Sequence, residues 1–183
     1  MKNSLMFVIS IFCFLALHAA TPNNAYSDDL FDSIVFGGKS FDEFVGDVER
    51  ARLKGIDDVY IVIEKISDSA RALGINEENI RTGVEIKIRK SGIKVKEKKS
   101  VVMFYVNVGV SKPVTRLYGV TVTVEVKDMV YLIRDPKIIF QTTIWDKEIL
   151  GIAGEQKVKE LVKEGVEELV DEFILDYLKA KQN

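Results

Sequence analysis

The stretch LYGVTVTVEVKD, residues 117 to 128, leaves the chain few ways to fold. Tyr118, Val120, Val122, Val124 and Val126 alternate with Gly119, Thr121, Thr123, Glu125 and Lys127. Side chains of a strand point to opposite faces with period two, so one face is apolar and the other wetter. A slip of one residue would turn the whole apolar set into water, which fixes the register against a buried layer. Antiparallel sheets tolerate one wet face, and that is the sheet this pattern predicts.

Other segments supply what the valine face must pack against. VYIVIEKI, residues 59 to 66, has the β-branched and aromatic content of a buried strand. Asn76 is a good N-cap, with Glu77 and Glu78 in the first turn, for a helix running to about Ser91 before Gly92; Ile80, Val84 and Ile88 mark its inner face. IKVKEKKSVVMFYVNVGV reads as two strands joined by a charged turn, with Val102, Phe104, Val106, Val108 and Val110 on one side of the second. Met129 to Arg134 extends the valine strand or follows a bulge, and RDPK turns the chain into IIFQTTIW, giving a long hairpin.

Val158, Leu161, Val162, Leu169, Val170, Phe173 and Tyr177 recur at helical spacing to about Lys179. A helix of about 24 residues spans ~36 Å, enough to cross several strands. Its stripe matches the valine face. The expected fold is α+β: a two-layer sandwich, a mostly antiparallel sheet with the long C-terminal helix and a second helix packed on one face. In SFDEFVGDVERARLKG, Ser40 and Glu43 form a capping box and Gly55 the stop of a short amphipathic helix.

At the amino end, Lys2 precedes an apolar run from Leu5 to Leu17 broken only by Ser10. About 13 residues are too few to span a bilayer but suit the apolar core of a secretory signal peptide. The organisation expected is a leader at 1–20, a linker at 21–39, the short helix at 40–56 and an α/β domain at 57–183. The chain is then periplasmic or secreted; a retained amino-terminal anchor is the alternative. Cleavage near Ala20 removes Cys13 and His18, the only cysteine and histidine. The mature chain then has no disulfide, no cysteine or histidine nucleophile and no ordinary zinc site. Losing Lys2 moves the formal charge from −2 to −3, which predicts no general attraction to nucleic acid.

The order strand, helix, several strands and long terminal helix resembles the lipopolysaccharide-assembly lipoprotein family and the amino-terminal domain of the Tol-system propeller protein. More narrowly, VYIVIEKI, then TTIW before a glycine-containing loop, then VDEFILDYL is similar to a group of secreted bacterial proteins without assigned activity, over roughly residues 57 to 180. The resemblance implies a small envelope α/β domain and carries over no catalytic residue. The chain lacks the acylated cysteine of the lipoprotein members.

Three features are candidates for binding. Between Arg81 and Lys99 eight basic residues stand against Glu85 and Glu97. Outside the cytoplasm that excess suits anionic lipid, cell-wall polymer or an acidic protein. Alternatively Lys94, Lys96 and Lys98 line an edge strand and discourage pairing. The last helix carries Glu160, Glu164, Glu168 and Glu172 at i,i+4 spacing, a repulsive arrangement that a basic partner, divalent ions or neighbouring lysines would offset. In TTIWDKEILGIAG, alternation sets Trp145 opposite Phe140 and Ile144, beside a loop with Ile149, Leu150 and Ile152. Trp145 is then either an exposed anchor with apolar neighbours or a cover for its own sheet edge.

Catalytic signals are thin. The serines of SDSA and GKS lack an accompanying base, FGGKS lacks phosphate-loop spacing, and no cofactor motif is present. The expected function is non-enzymatic: a secreted or periplasmic binding or accessory domain working through an envelope protein partner. The alternative is a carrier or sensor of a lipid or small apolar ligand held between sheet and helices.

Overall fold

The computed structural model describes residues 41–98, 100–111 and 116–182; the expected leader, linker and Ser40 cap lie outside the described residues. The chain divides into two units, Met1–Phe44 and Val45–Asn183, and the architecture is that of the second. In order come α1 (Phe41–Ala51), β1 (Asp58–Ile63), α2 (Asp68–Ala72), α3 (Glu77–Lys90), β2 (Lys94–Val95), β3 (Met103–Val110), β4 (Leu117–Leu132), β5 (Asp135–Gly154) and α4 (Glu155–Gln182). Five strands form one mixed sheet in the order β2-β1-β3-β4-β5, with α3 over β1 and α4 over β4 and β5. The class is α+β.

The local signals act where the sequence puts them. Asn76 Oδ1 accepts the backbone N–H groups of Glu78 and Asn79, and Gly92, at φ +89°, follows the Ser91 C-cap of α3. Val84 and Ile88 are buried on its inner face. Helix α1 stops short of its expected end, and turns carry the chain to Gly55 at φ +86°. The next buried residues, Leu53 and Ile56, close that end of the core. The first serine of SDSA caps α2, where Ser67 Oγ accepts the Ala70 N–H at 3.3 Å.

The expectation for residues 93–110 needs one correction. Strands β2 and β3 are not neighbours, because β1 runs between them and pairs in parallel with both. The segment from β1 through α3 to β2 is a βαβ unit, and a helical crossover is what parallel strands require. The antiparallel character expected of the whole sheet belongs to β3-β4-β5, which carries the longer ladders.

There the valine face is buried as read: Val120, Val122, Val124 and Val126, with Phe104, Val106 and Val108 beside them. Helix α4 lays Val158, Val162, Val166, Leu169, Val170, Phe173 and Tyr177 onto it. Its 28 residues span about 42 Å. Gly165 sets the spacing, since a Cβ there would stand 3.2 Å from Cγ2 of Val122. A larger residue there would force Val122 or the helix to give way.

Two expectations about β5 also change. The segment after Trp145 is not a loop: β5 continues to Gly154, paired residue by residue with β4 back to Leu117, and α4 begins at Glu155. The register then slips between Val126 and Lys127, leaving Ile144 as an extra residue opposite Val126. Such a bulge breaks strict alternation and increases the local twist. Ile144 and Trp145 consequently both turn towards the core, at 8 % and 3 % exposure. Trp145 is thus no exposed anchor. Its ring meets Phe173 edge-on at 5.4 Å, Phe173 meets Phe104 at 5.0 Å, and its Nε1–H donates to Asp176 Oδ2 at 3.1 Å.

A second tie joins β1, α2 and α3. Glu77 Oε1 accepts from Arg71 Nη2 at 2.7 Å and from the Ile66 N–H at 3.1 Å. The Arg71 guanidinium first, and the backbone donors after it, hold the Glu77 carboxyl down from 4.5 to about 2.

Two outcomes follow. Trp145→Ala leaves a cavity under α4 and loses an aromatic contact; it costs about 3–5 kcal/mol, read as a lower melting temperature. For Glu77 the folded pKa lies below the unfolded one, so its contribution is complete above about 4.5 and disappears as pH falls towards about 2. In acid titrations of stability, Glu77→Gln should remove that part of the slope and leave the rest.

Candidate binding surfaces

The basic run of residues 81 to 99 does not assemble into one patch among the described residues. Arg81 Nη1 donates to the Ile61 carbonyl at 2.9 Å, Lys87 pairs with Asp171 on α4 at 2.6 Å, and Arg89 pairs with Glu85 at 2.7 Å. Lys94 stands exposed on β2, opposite Asp58. Lys96 pairs with Asp58 at 2.9 Å, and Ser100 Oγ donates to the same carboxylate. Those two bonds, the serine's first, lower the Asp58 pKa. Lys98 is exposed beyond the strand, and Lys99 lies outside the described residues. Lys94 is therefore an edge-strand lysine, a position where that side chain hinders pairing with another sheet.

The acidic side of α4 is partly compensated from within. Glu160 pairs with Lys157 at 2.6 Å, Glu167 with Lys163 at 3.8 Å, and Asp171 with Lys87. Exposed pairs of this kind add little to stability, because solvent screens them.

Of the residues proposed around Trp145, Ile149 is half-buried, paired with Val122 on the helix-covered face. Leu150 and Ile152 point the other way and are 78 % and 74 % exposed, beside Leu117. Near the middle of that outer face a polar network forms. Tyr105 donates to Glu64 Oε2 at 2.6 Å, and Lys127 sits 4.2 Å from the Tyr105 ring centre and 2.8 Å from Glu125. Thr143 Oγ1 also donates to Glu125, at 3.3 Å. The Glu64 bond and then burial push the Tyr105 phenol up to about 12, so it stays protonated and works as a donor.

A further exposed apolar surface lies on the far part of the same two strands. Beyond the bulge, β4 from Lys127 to Leu132 and β5 from Asp135 to Thr143 project as a two-stranded arm, about 20 Å long. The register puts Met129, Tyr131 and Ile139 on its outer face, and Val130 and Phe140 on the face continuing the core side. Met129, Tyr131, Ile138, Ile139 and Phe140 are all exposed, and Ile133 at the turn is 94 % exposed. The turn falls at Ile133 and Arg134, slightly before the RDPK turn expected, with a second register irregularity after Tyr131. A signal for the arm was present: in MVYLI and KIIF the apolar residues occupy both parities, a pattern that belongs to strands covered on both sides.

A different feature lies in the helix layer. Between the start of α3 and α4 runs a half-open groove of about 500 Å³, mostly apolar, floored by Ile75, Ile80, Val162 and Val166. Asn76, Asn79, Lys159 and Lys163 rim it. It lies outside the valine face, which is filled by α4. Among the described residues no group of histidine, cysteine and carboxylate side chains could hold a metal ion, and no helix is long and apolar enough to cross a membrane.

No family model and no curated protein matches the chain. Among solved structures, a minor lipoprotein from Acinetobacter baumannii is similar at 10% identity and a TM-score of 0.37, over 67% of this chain and 90% of that one. A PelC dodecamer from Paraburkholderia phytofirmans is similar at 9% identity and a TM-score of 0.36, over 63% and 84%.

Proposed function

We propose that this protein is a non-enzymatic binding domain of the cell envelope, secreted or periplasmic, that works by docking a protein partner on the β4–β5 arm. The observation that carries the reading is the arm's composition against its surroundings: it is apolar on both faces, and Met129, Tyr131, Ile138, Ile139 and Phe140 are exposed. Contiguous exposed apolar surface on a folded chain marks an interaction site. Tyr131, Met129 and Phe140 are also residue types enriched in the centres of protein interfaces.

The arm suits protein better than lipid for two reasons. Its extreme end carries Arg134, Asp135 and Lys137, so insertion tip-first would take charge deepest into the bilayer. Strand β5 is also a sheet edge, and its unpaired backbone groups find no partner in hydrocarbon, whereas a protein strand or side chains can satisfy them. The envelope location is supported by the expected leader alone. The carrier reading is favoured by the α3–α4 groove, although that groove lies on the helix layer and not between sheet and helices.

The test places a photocrosslinking side chain at Ile139 in living cells, with Leu150 on the core part of the same strand as the comparison position. One envelope protein should be captured from Ile139 and not from Leu150. The purified pair should bind, and Tyr131→Asp with Ile133→Asp should weaken that binding at least about tenfold. The melting temperature should stay nearly unchanged, because exposed positions contribute within about 0.5 kcal/mol. Equal capture from both positions, or full affinity in the double variant, refutes the arm as the docking site.

A further inference from the structure

We infer that the groove between α3 and α4 binds a single-chain amphiphile with an anionic head, of the fatty-acid kind, with the chain on the apolar floor and the head at Lys159. The inference deepens the carrier reading and is independent of the arm. Size is the first argument. About 500 Å³ lies in the lower half of the range for small-molecule pockets, enough for one flexible chain.

Lining is the second. Ile75, Ile80, Val162 and Val166 present apolar surface at the bottom, and the polar groups stand on the rim, which is the division an amphiphile needs. The third argument is charge. Around the rim, Glu160 is taken by Lys157 at 2.6 Å, and Glu167 faces Lys163 at 3.8 Å. Lys159 has no ion pair or hydrogen-bond partner among the described residues, which leaves it as the rim cation open to an anionic head.

Backbone geometry places that cation. Gly74 adopts φ +79°, and a Cβ there would stand 3.6 Å from Cδ and Nζ of Lys159. The lysine stem therefore folds over the bare glycine lip and keeps its ammonium at the groove's end. A neutral chain would use the floor and leave this charge idle. An acid uses both.

The experiment is calorimetric titration of the purified chain with dodecanoate, with dodecanol as the uncharged equivalent, and flotation with phosphatidylglycerol vesicles. Dodecanoate should bind at a single site, at least about tenfold more tightly than dodecanol, in keeping with a charge-assisted contact. Lys159→Gln should bring dodecanoate down to the dodecanol level. Asn79→Trp, a rim substitution that fills the groove and leaves the core intact, should abolish binding of both at an unchanged melting temperature. Ile139→Asp should have no effect, which separates this site from the arm. Absence of dodecanoate binding, equal binding of dodecanol, or binding that survives Asn79→Trp each overturns the proposal. Flotation with the vesicles in place of dodecanoate binding overturns it too, and identifies a membrane surface as the occupant.

Discussion

The close approach of α4 to β4 at Gly165 and Val122 is the contact on which the rest of the molecule depends. It brings a helix of about 42 Å flat against the sheet, so that its long stripe and the valine face exclude water together. The aromatic group of Phe104, Trp145, Phe173 and Tyr177 assembles at the far end of that contact, and the α3–α4 groove opens at its near end. One packing distance thus sets both the core and the surface shape of the helix layer.

The bulge at Ile144 is the second organising device. Trp145 keeps the phase of Ile149, opposite Val126 on the valine face, and the extra residue Ile144 is turned inward beside it. Below the bulge the inward face is taken up by Val130 and Phe140, and exposure rises along the ribbon. A single inserted residue therefore stands where the deeply buried part of the sheet gives way to a half-exposed one.

Much of this was legible in the amino-acid order. The alternation from Tyr118 to Val126, the Asn76 cap and the stripe from Val158 to Tyr177 rest on local periodicity and end signals, and each is observed. What was not legible depended on partners distant in sequence. Nothing near Lys94 says that β2 pairs in parallel with β1, since that follows from the α3 crossover. Nothing in TTIW marks Ile144 as the extra residue, because a bulge is a property of two strands' register. The same slip explains why alternation put Trp145 on the wrong side. The arm's signal, apolar residues on both parities from Met129 to Phe140, could have been read, had the end of the helix layer been known.

Past Lys127, the last β4 residue paired with β3, the hairpin has only its own ladder within the sheet and carries exposed apolar residues, whereas above the bulge Val120, Val122, Val124 and Val126 are buried. Segments with few buried contacts open at far lower free energy than the core they adjoin. The one continuous β4–β5 ribbon is in consequence two thermodynamic bodies joined at Ile144: a rigid stem that unfolds with the domain and an arm that can open and re-form while the domain stays native. Substitutions in the arm can then change what it grips without being tested by the stability of the fold.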